Sequence, residues 1–283
     1  MLRIILPRSK ECLRPCFGVE RAFKKCLGIK NKKEYVIYKK LAHNRILNNT
    51  LKNKGFIVIK DLSRTGRRKA IIGAHGIQKK DLEFLKNKKI GFLDFTCPYV
   101  KKFLERAVKL EDEGYQIMII GDKKHREIKN ICSYLKKPIV IRSAAKAKKL
   151  KHLGRVALFS QTTELQENID KIMPIIKKRC KELVYNQTRC FTVRIRQKEA
   201  NALARKSDLV LVISDKTSRN GRNLVRTCKG ITKTKLVHDS KEIKPGLFRR
   251  VRRVGIIASA STPAFVVDEV IKCLRNQRIQ ARI

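Results

Sequence analysis

Cys16, Cys97 and Cys190 stand roughly one per third of the chain, each in a turn that follows an expected strand and precedes an expected helix. A helix N-terminus lowers the pKa of a thiol and so favours metal ligation. Three thiolates meeting at one centre would hold an iron–sulfur cluster that normally takes four, leaving one iron open to a substrate. Other chemically able residues occupy the same kind of position. His43, His75, His125 with Glu127, Thr162, Ser218 with Asn220, and Ser261 all come shortly after expected strands. In open α/β sheets, ligands bind at the carboxyl ends of strands. Several units facing one another through those ends would enclose one polar pocket.

Taken singly, each residue has a plainer reading as well. His75 lies between small residues in Gly73-Ala74-His75-Gly76, which lets a ligand approach but also suits a surface turn. His125 and Glu127 are two apart and would not share a helix face, so they converge only in the turn before a helix. On so basic a chain Glu127 is either a proton source or one half of an ion pair. Ser218, Asn220 and Ser261-Thr262 precede helices, where ordinary N-capping and anion binding both apply. Cys12 and Cys16 form a C-x3-C pair with no second pair to complete a zinc site. Cys26, Cys132, Cys180, Cys228 and Cys273 lie within or at the edge of helical stretches and read as buried, inert thiols.

The elements that must position these residues alternate. Short Ile- and Val-rich runs at residues 2–6, 35–38, 56–59, 70–73, 90–94, 115–120, 138–141, 155–160, 183–185, 208–214, 235–238 and 253–258 read as parallel strands buried on both faces. Helical stretches at 98–113, 164–179, 192–204 and 263–274 lie between or after them, and Pro98 and Pro263 each suit a first helical position. The alternation predicts an α/β fold, divided into three compact units over residues 1–96, 97–190 and 191–283.

With 283 residues and 42% hydrophobic content the chain can bury a substantial core. No apolar run reaches the ~18 residues of a membrane helix, and the stretch at 2–6 ends at Pro7, which argues against a signal peptide. A cytoplasmic protein with reduced or metal-bound cysteines is expected. The net charge of +45 is spread from Arg3 to Arg282 rather than gathered in one patch, and there is no Trp for base stacking. A general basic bias explains it, with non-specific nucleic-acid adhesion as the physical consequence.

Read in order, the segments resemble those of the 4-hydroxy-3-methylbut-2-enyl diphosphate reductase family, the iron–sulfur enzymes that end the non-mevalonate isoprenoid pathway. Arg14-Pro15-Cys16-Phe17-Gly18-Val19-Glu20-Arg21-Ala22, Asp94-Phe95-Thr96-Cys97-Pro98, and Thr188-Arg189-Cys190 followed by Arg196-Gln197 resemble its three cluster-ligand segments. His43-Asn44-Arg45 and Ala74-His75-Gly76 resemble its phosphate-side histidine motifs. Residues 121–127, Gln161-Thr162-Thr163, Ser218-Arg219-Asn220 and Ala260-Ser261-Thr262-Pro263 complete the set, which covers essentially the whole chain.

The resemblance implies three small α/β units in pseudo-threefold arrangement around a central 4Fe–4S cluster. It implies Cys16, Cys97 and Cys190 as ligands, and Glu127, Thr162 and His125 in catalysis. His43, His75, His125, Thr162, Ser218, Arg219, Asn220 and Ser261 would bind the allylic diphosphate substrate. The products implied are isopentenyl and dimethylallyl diphosphate, with ferredoxin or flavodoxin as electron donor. Some positions depart from the family's usual residues. Arg14, Pro15 and Phe17 add bulk around the first ligand, where Cys12 offers an alternative sulfur. Gly73 and Arg219 replace serines, Ser259 a glycine and Ala264 an aspartate, while Val193 and Arg194 stand where small or polar residues are usual. An alternative function is a diverged cluster-binding relative that binds RNA or another anion without this reaction.

Overall fold

A computed structural model describes residues 2–280. Twelve strands form three four-stranded sheets among the described residues, and every pairing is parallel. Each run read as a strand from its Ile and Val content is one. The chain divides into two compact units, the first made of Met1–Glu20, Ala42–Thr50 and Phe191–Ile283, the second of Arg21–Leu41 and Leu51–Cys190.

The first unit holds one sheet, ordered Arg3–Ile5, Arg253–Ala258, Leu209–Ile213, Lys233–Val237. The N-terminal strand thus pairs with residues from the other end of the chain, Arg3 opposite Arg253. Alternate residues of each strand face opposite sides. Leu209, Leu211, Ile213 and Ile256 pack under Val266, Val270 and Leu274 of helix Ala264–Gln280. Val210, Val212 and Ile257 pack under Ala200 and Leu203 of helix Phe191–Lys206 and Leu224 of helix Arg219–Lys229.

The second unit holds two sheets, ordered Ile57–Ile59, Tyr35–Tyr38, Lys69–Ile72, Phe92–Asp94 and Ile139–Ile141, Gln116–Ile120, Leu153–Ser160, Cys180–Asn186. Helix Pro98–Asp112 buries Phe103, Ala107 and Leu110 against Ile117, Ile119, Ala157 and Phe159. The rings of Phe103 and Phe159 stack with centroids 5.1 Å apart. Helix Gln166–Lys177 covers the opposite face through Ile169, Ile172 and Ile176.

Two details correct the sequence reading. Pro98 is the first helical residue, but Pro263 precedes its helix, which begins at Ala264, and its carbonyl accepts the Val266 N–H. Cys180 opens a strand, and its thiol donates back to the Ile176 carbonyl. No helix among the described residues is long and apolar enough to cross a membrane.

Candidate active site

In the second unit a continuous series of bonds joins Cys97 to Cys190. Cys97 caps helix Pro98–Asp112, and its N–H donates to the Ala74 carbonyl at 3.0 Å. Ala74 in turn donates to the Leu41 carbonyl. A β-carbon on Gly73 would stand 2.4 and 2.6 Å from the carbonyl oxygens of Lys40 and Leu41, so this close backbone approach requires glycine. The departure from serine at this position therefore has a packing cause. The His75 carbonyl accepts the Asn130 Nδ2 at 2.9 Å. Asn130 belongs to helix Arg126–Cys132, which is capped by His125 and carries Glu127 in its first turn. The rings of His75 and His125 meet edge to face, 5.8 Å between centroids.

Glu127 is 3% exposed and its carboxylate accepts the Thr162 hydroxyl at 2.8 and 2.9 Å and the Thr162 N–H at 3.2 Å. The Thr162 carbonyl then accepts the Cys190 N–H at 2.9 Å. Burial pushes the Glu127 carboxyl above its ordinary value, against the opposing pull of the Thr162 hydrogen bonds. The observed partner of Glu127 is thus Thr162 rather than a surface cation. The expected placement is also corrected, since Glu127 lies inside the helix while His125 is its cap. Arg126, between them, is half-buried, and its guanidinium donates to the Lys40 and Tyr38 carbonyls. Burial lowers its pKa to about 10.

The first unit shows a second series. The Cys16 N–H donates to the Ala260 carbonyl at 2.8 Å, and the next residue, Ser261, donates its hydroxyl to the His43 carbonyl at 2.9 Å. Asn44 caps the helix that follows, its Oδ1 accepting the Leu47 N–H. The Arg45 N–H donates to Asp215 Oδ2 at 2.9 Å, and the Asp215 carbonyl accepts the Ser218 N–H. Ser218 caps helix Arg219–Lys229 through a bond from Gly221 N–H to its Oγ at 3.2 Å. Arg219 and Asn220 occupy the first turn of that helix rather than preceding it. Asn220 is 4% exposed, and neither its Nδ2 nor its Oδ1 has a hydrogen-bond partner. A buried amide with both ends unsatisfied is rare in folded chains and makes Asn220 a candidate for contact with a polar ligand. Ser259, where a glycine is usual, shares a buried hydroxyl–hydroxyl bond with Thr262, and both bond to the Ile213 carbonyl.

Helix Arg219–Lys229 starts hard against the strand that precedes it. A β-carbon on Gly221 would lie 1.9 Å from Ser214 Oγ and 2.5 Å from its Cβ. Gly221→Ala is expected to cost about 1–3 kcal/mol, as overpacking does, and adding Ser214→Gly to recover most of it. Melting curves of the single and double variants check this.

The cysteines separate by environment. Cys12, Cys26 and Cys228 are fully buried, and burial raises their thiols to about 11, 12 and 12. Cys12, weighed above as an alternative sulfur, packs in the core with Ala200, Leu203 and Val212, unlike the half-buried Cys16. Cys16, Cys97 and Cys190 are half-buried and directly precede helices Phe17–Leu27, Pro98–Asp112 and Phe191–Lys206. Cys132, Cys180 and Cys273 are also half-buried, so the expectation of burial fails for these three.

Two residues of these series escaped the sequence reading. Asp215 follows a strand and obeys the same positional rule as the chosen residues. Asn130 acts through a side chain aimed at a distant carbonyl, which leaves no trace in spacing.

The sequence model of the LytB protein family matches residues 12–275. The chain belongs to the LytB protein family. The Campylobacter hominis protein named 4-hydroxy-3-methylbut-2-enyl diphosphate reductase is 36% identical over 91% of this chain and 94% of its own. The Helicobacter pylori protein of the same name is 35% identical over 90% and 93%. Among solved structures, (E)-4-hydroxy-3-methyl-but-2-enyl diphosphate reductase, described as the terminal enzyme of the non-mevalonate pathway, superposes with a TM-score of 0.68. That comparison has 30% identity and covers 98% of this chain and 100% of the other. The E-1-hydroxy-2-methyl-but-2-enyl-4-diphosphate reductase from Plasmodium falciparum gives a TM-score of 0.87 at 25% identity, over 97% and 88%. The resemblance read from the motifs and the α/β fold class are both borne out.

Proposed function

We infer that this chain is an oxidoreductase that converts 4-hydroxy-3-methylbut-2-enyl diphosphate to isopentenyl and dimethylallyl diphosphate. The observation that carries this is the buried Glu127 carboxyl, bonded to Thr162, whose own carbonyl is bonded by the N–H of Cys190. An acid with a raised pKa is thereby tied by neighbouring bonds to a thiol at the start of a helix.

The reaction breaks an allylic C–O bond, takes up two electrons and two protons, and releases water. Cys16, Cys97 and Cys190 suit a cluster because they are the thiols that are not sealed in the core and that also stand directly before helices of eleven residues or more. A 4Fe–4S cluster, when bound there, supplies electrons one at a time and Lewis acidity at the departing oxygen, chemistry that no side chain offers. The rest falls to the chain. Glu127 holds a proton for the departing hydroxyl; once protonated it donates that proton to the Thr162 hydroxyl oxygen, which passes its own hydrogen on, while the Thr162 N–H fixes the direction of the carboxyl. His125, the N-cap residue of the helix that carries Glu127, would act with them.

His43, His75, His125, Ser218, Arg219, Asn220 and Ser261 hold the diphosphate. Imidazoles, hydroxyls, an amide and a guanidinium are the donors such a group requires. The unpartnered amide of Asn220 is the local support for that role. Binding the diphosphate supplies remote energy that orients the allyl group. Ferredoxin or flavodoxin, small and acidic, would deliver the electrons, and the net charge of +45 favours such a partner.

The test is anaerobic purification, cluster reconstitution and assay of the allylic diphosphate with reductant. Formation of the two isomeric products is expected. A protein that loads its cluster but forms no product would overturn the assignment and leave an anion-binding relative.

A further inference from the structure

We propose that Asp215 is a positioning residue that locks the His43 turn to the Ser218–Asn220 turn, so that both present their donors to one diphosphate. This rests on the reading above that the Ser218 turn receives that group.

The two turns belong to the first unit but are about 170 residues apart in the chain, and Asp215 joins them with both carboxylate oxygens. Oδ2 accepts the Arg45 N–H at 2.9 Å. Oδ1 accepts the Thr217 N–H at 2.8 Å and the Thr217 hydroxyl at 2.6 Å. The Asp215 carbonyl also accepts the Ser218 N–H at 3.0 Å, so the residue shapes the turn that places the cap of helix Arg219–Lys229. The His43 turn is therefore gripped from both sides: Ser261 holds the His43 carbonyl and Asp215 holds the N–H two residues on.

A free carboxylate three residues before a diphosphate-binding serine would repel its ligand. Here both oxygens are turned onto donors and the residue is 8% exposed. Burial opposes ionisation, yet the bonds from Thr217 and Arg45 and the nearby His238 hold the carboxyl below its ordinary value. The charge is thus spent on backbone and hydroxyl donors. A carboxamide could not replace it, because one acceptor oxygen cannot serve Arg45 and Thr217 together.

The geometry offers a sharp probe. Arg45 is the first residue of helix Arg45–Asn53 and its side chain is exposed. Proline is well tolerated at a first helical position, so Arg45→Pro deletes the N–H that Asp215 accepts while the helix stays intact. Arg45→Ala keeps that N–H and controls for the side chain.

The experiment measures inorganic diphosphate binding by calorimetry on cluster-loaded protein, with KM, kcat and cluster absorbance for each variant. Asp215→Asn is expected to weaken diphosphate about tenfold and raise KM in proportion, the loss of roughly one hydrogen bond to a charged group. Its kcat and cluster absorbance should stay close to those of the unaltered protein. Arg45→Pro should bind more weakly than Arg45→Ala by a similar factor. Asn220→Ala separates the two claims. If it weakens diphosphate while Asp215→Asn and Arg45→Pro do not, the positioning role is overturned and the diphosphate turn stands. If Asn220→Ala binds like the unaltered protein, the turn is not the diphosphate site and both claims fall. A drop in kcat or in cluster content with KM unchanged would show a merely structural role and also overturn the proposal.

Discussion

Replacing Glu127 by glutamine is expected to cut turnover by about 10²–10⁴-fold, the usual yield of a general acid, while cluster content stays at its normal level. Glutamine preserves the volume of the side chain and an oxygen for the Thr162 donors, so the fold has little cause to respond. The pH dependence carries the sharper signature. In the proposed role Glu127 acts only while protonated, and burial holds its carboxyl above the ordinary 4.5. Rising pH should therefore lower kcat as it passes through the raised value, and this limb should vanish in Glu127→Gln. Stability should follow the same sign. The folded chain holds this proton more tightly than the unfolded chain, so the group's contribution is full below about 4.5 and is lost as pH climbs through the folded value. Denaturant midpoints of the glutamine variant should lack that decline. Near-normal rates in Glu127→Gln would remove the residue from its role.

The second large effect is expected at Arg196, which is completely buried. Its guanidinium donates to the carbonyls of Glu11, Arg14 and Thr192. The first two lie in the segment that leads into Cys16, and the third lies in the helix that starts after Cys190. One planar fork thus fastens the approach to Cys16 onto helix Phe191–Lys206. Arg196→Met should cost about 3–5 kcal/mol, since several charge-assisted bonds go and buried carbonyls are left unpaired. The segment before Cys16 would lose its anchor, so iron content should fall with stability. Arg196→Lys should recover less than half of the loss, because an ammonium cannot span the same three carbonyls. Denaturant titration and iron analysis on the two variants check both statements.

Much of this was legible in the chain before any coordinates. Parallel strands buried on both faces are runs of Ile and Val, so Tyr35–Tyr38 and Arg253–Ala258 were found to the residue. Strand Cys180–Asn186 was read too short because it lies at a sheet edge, where Lys181 and Glu182 face water and break the apolar run. The union of Arg3–Ile5 with Arg253–Ala258 had no local signature, since parallel pairing across the chain leaves no turn to read. Site residues stood out because strand ends in α/β folds are where chemistry gathers. What stayed hidden was the bonding between them. Asn130 to His75 and Asp215 to Arg45 join side chains to distant backbone, and no spacing rule reports such a pair. Cys12 and Cys16 are four apart and similar on paper. Only packing shows that one faces Val212 in the core and the other opens a helix.

Three distant thiols holding one cluster are the core of the proposed activity, and iron content after anaerobic reconstitution tests this most directly. Single alanine replacements of Cys16, Cys97 and Cys190 should each abolish or severely reduce the loaded iron and its charge-transfer absorbance. Replacements of Cys132, Cys180 and Cys273, equally half-buried, should load like the unaltered protein. Full loading in any of the first three, or its loss in any of the second, would contradict the assignment.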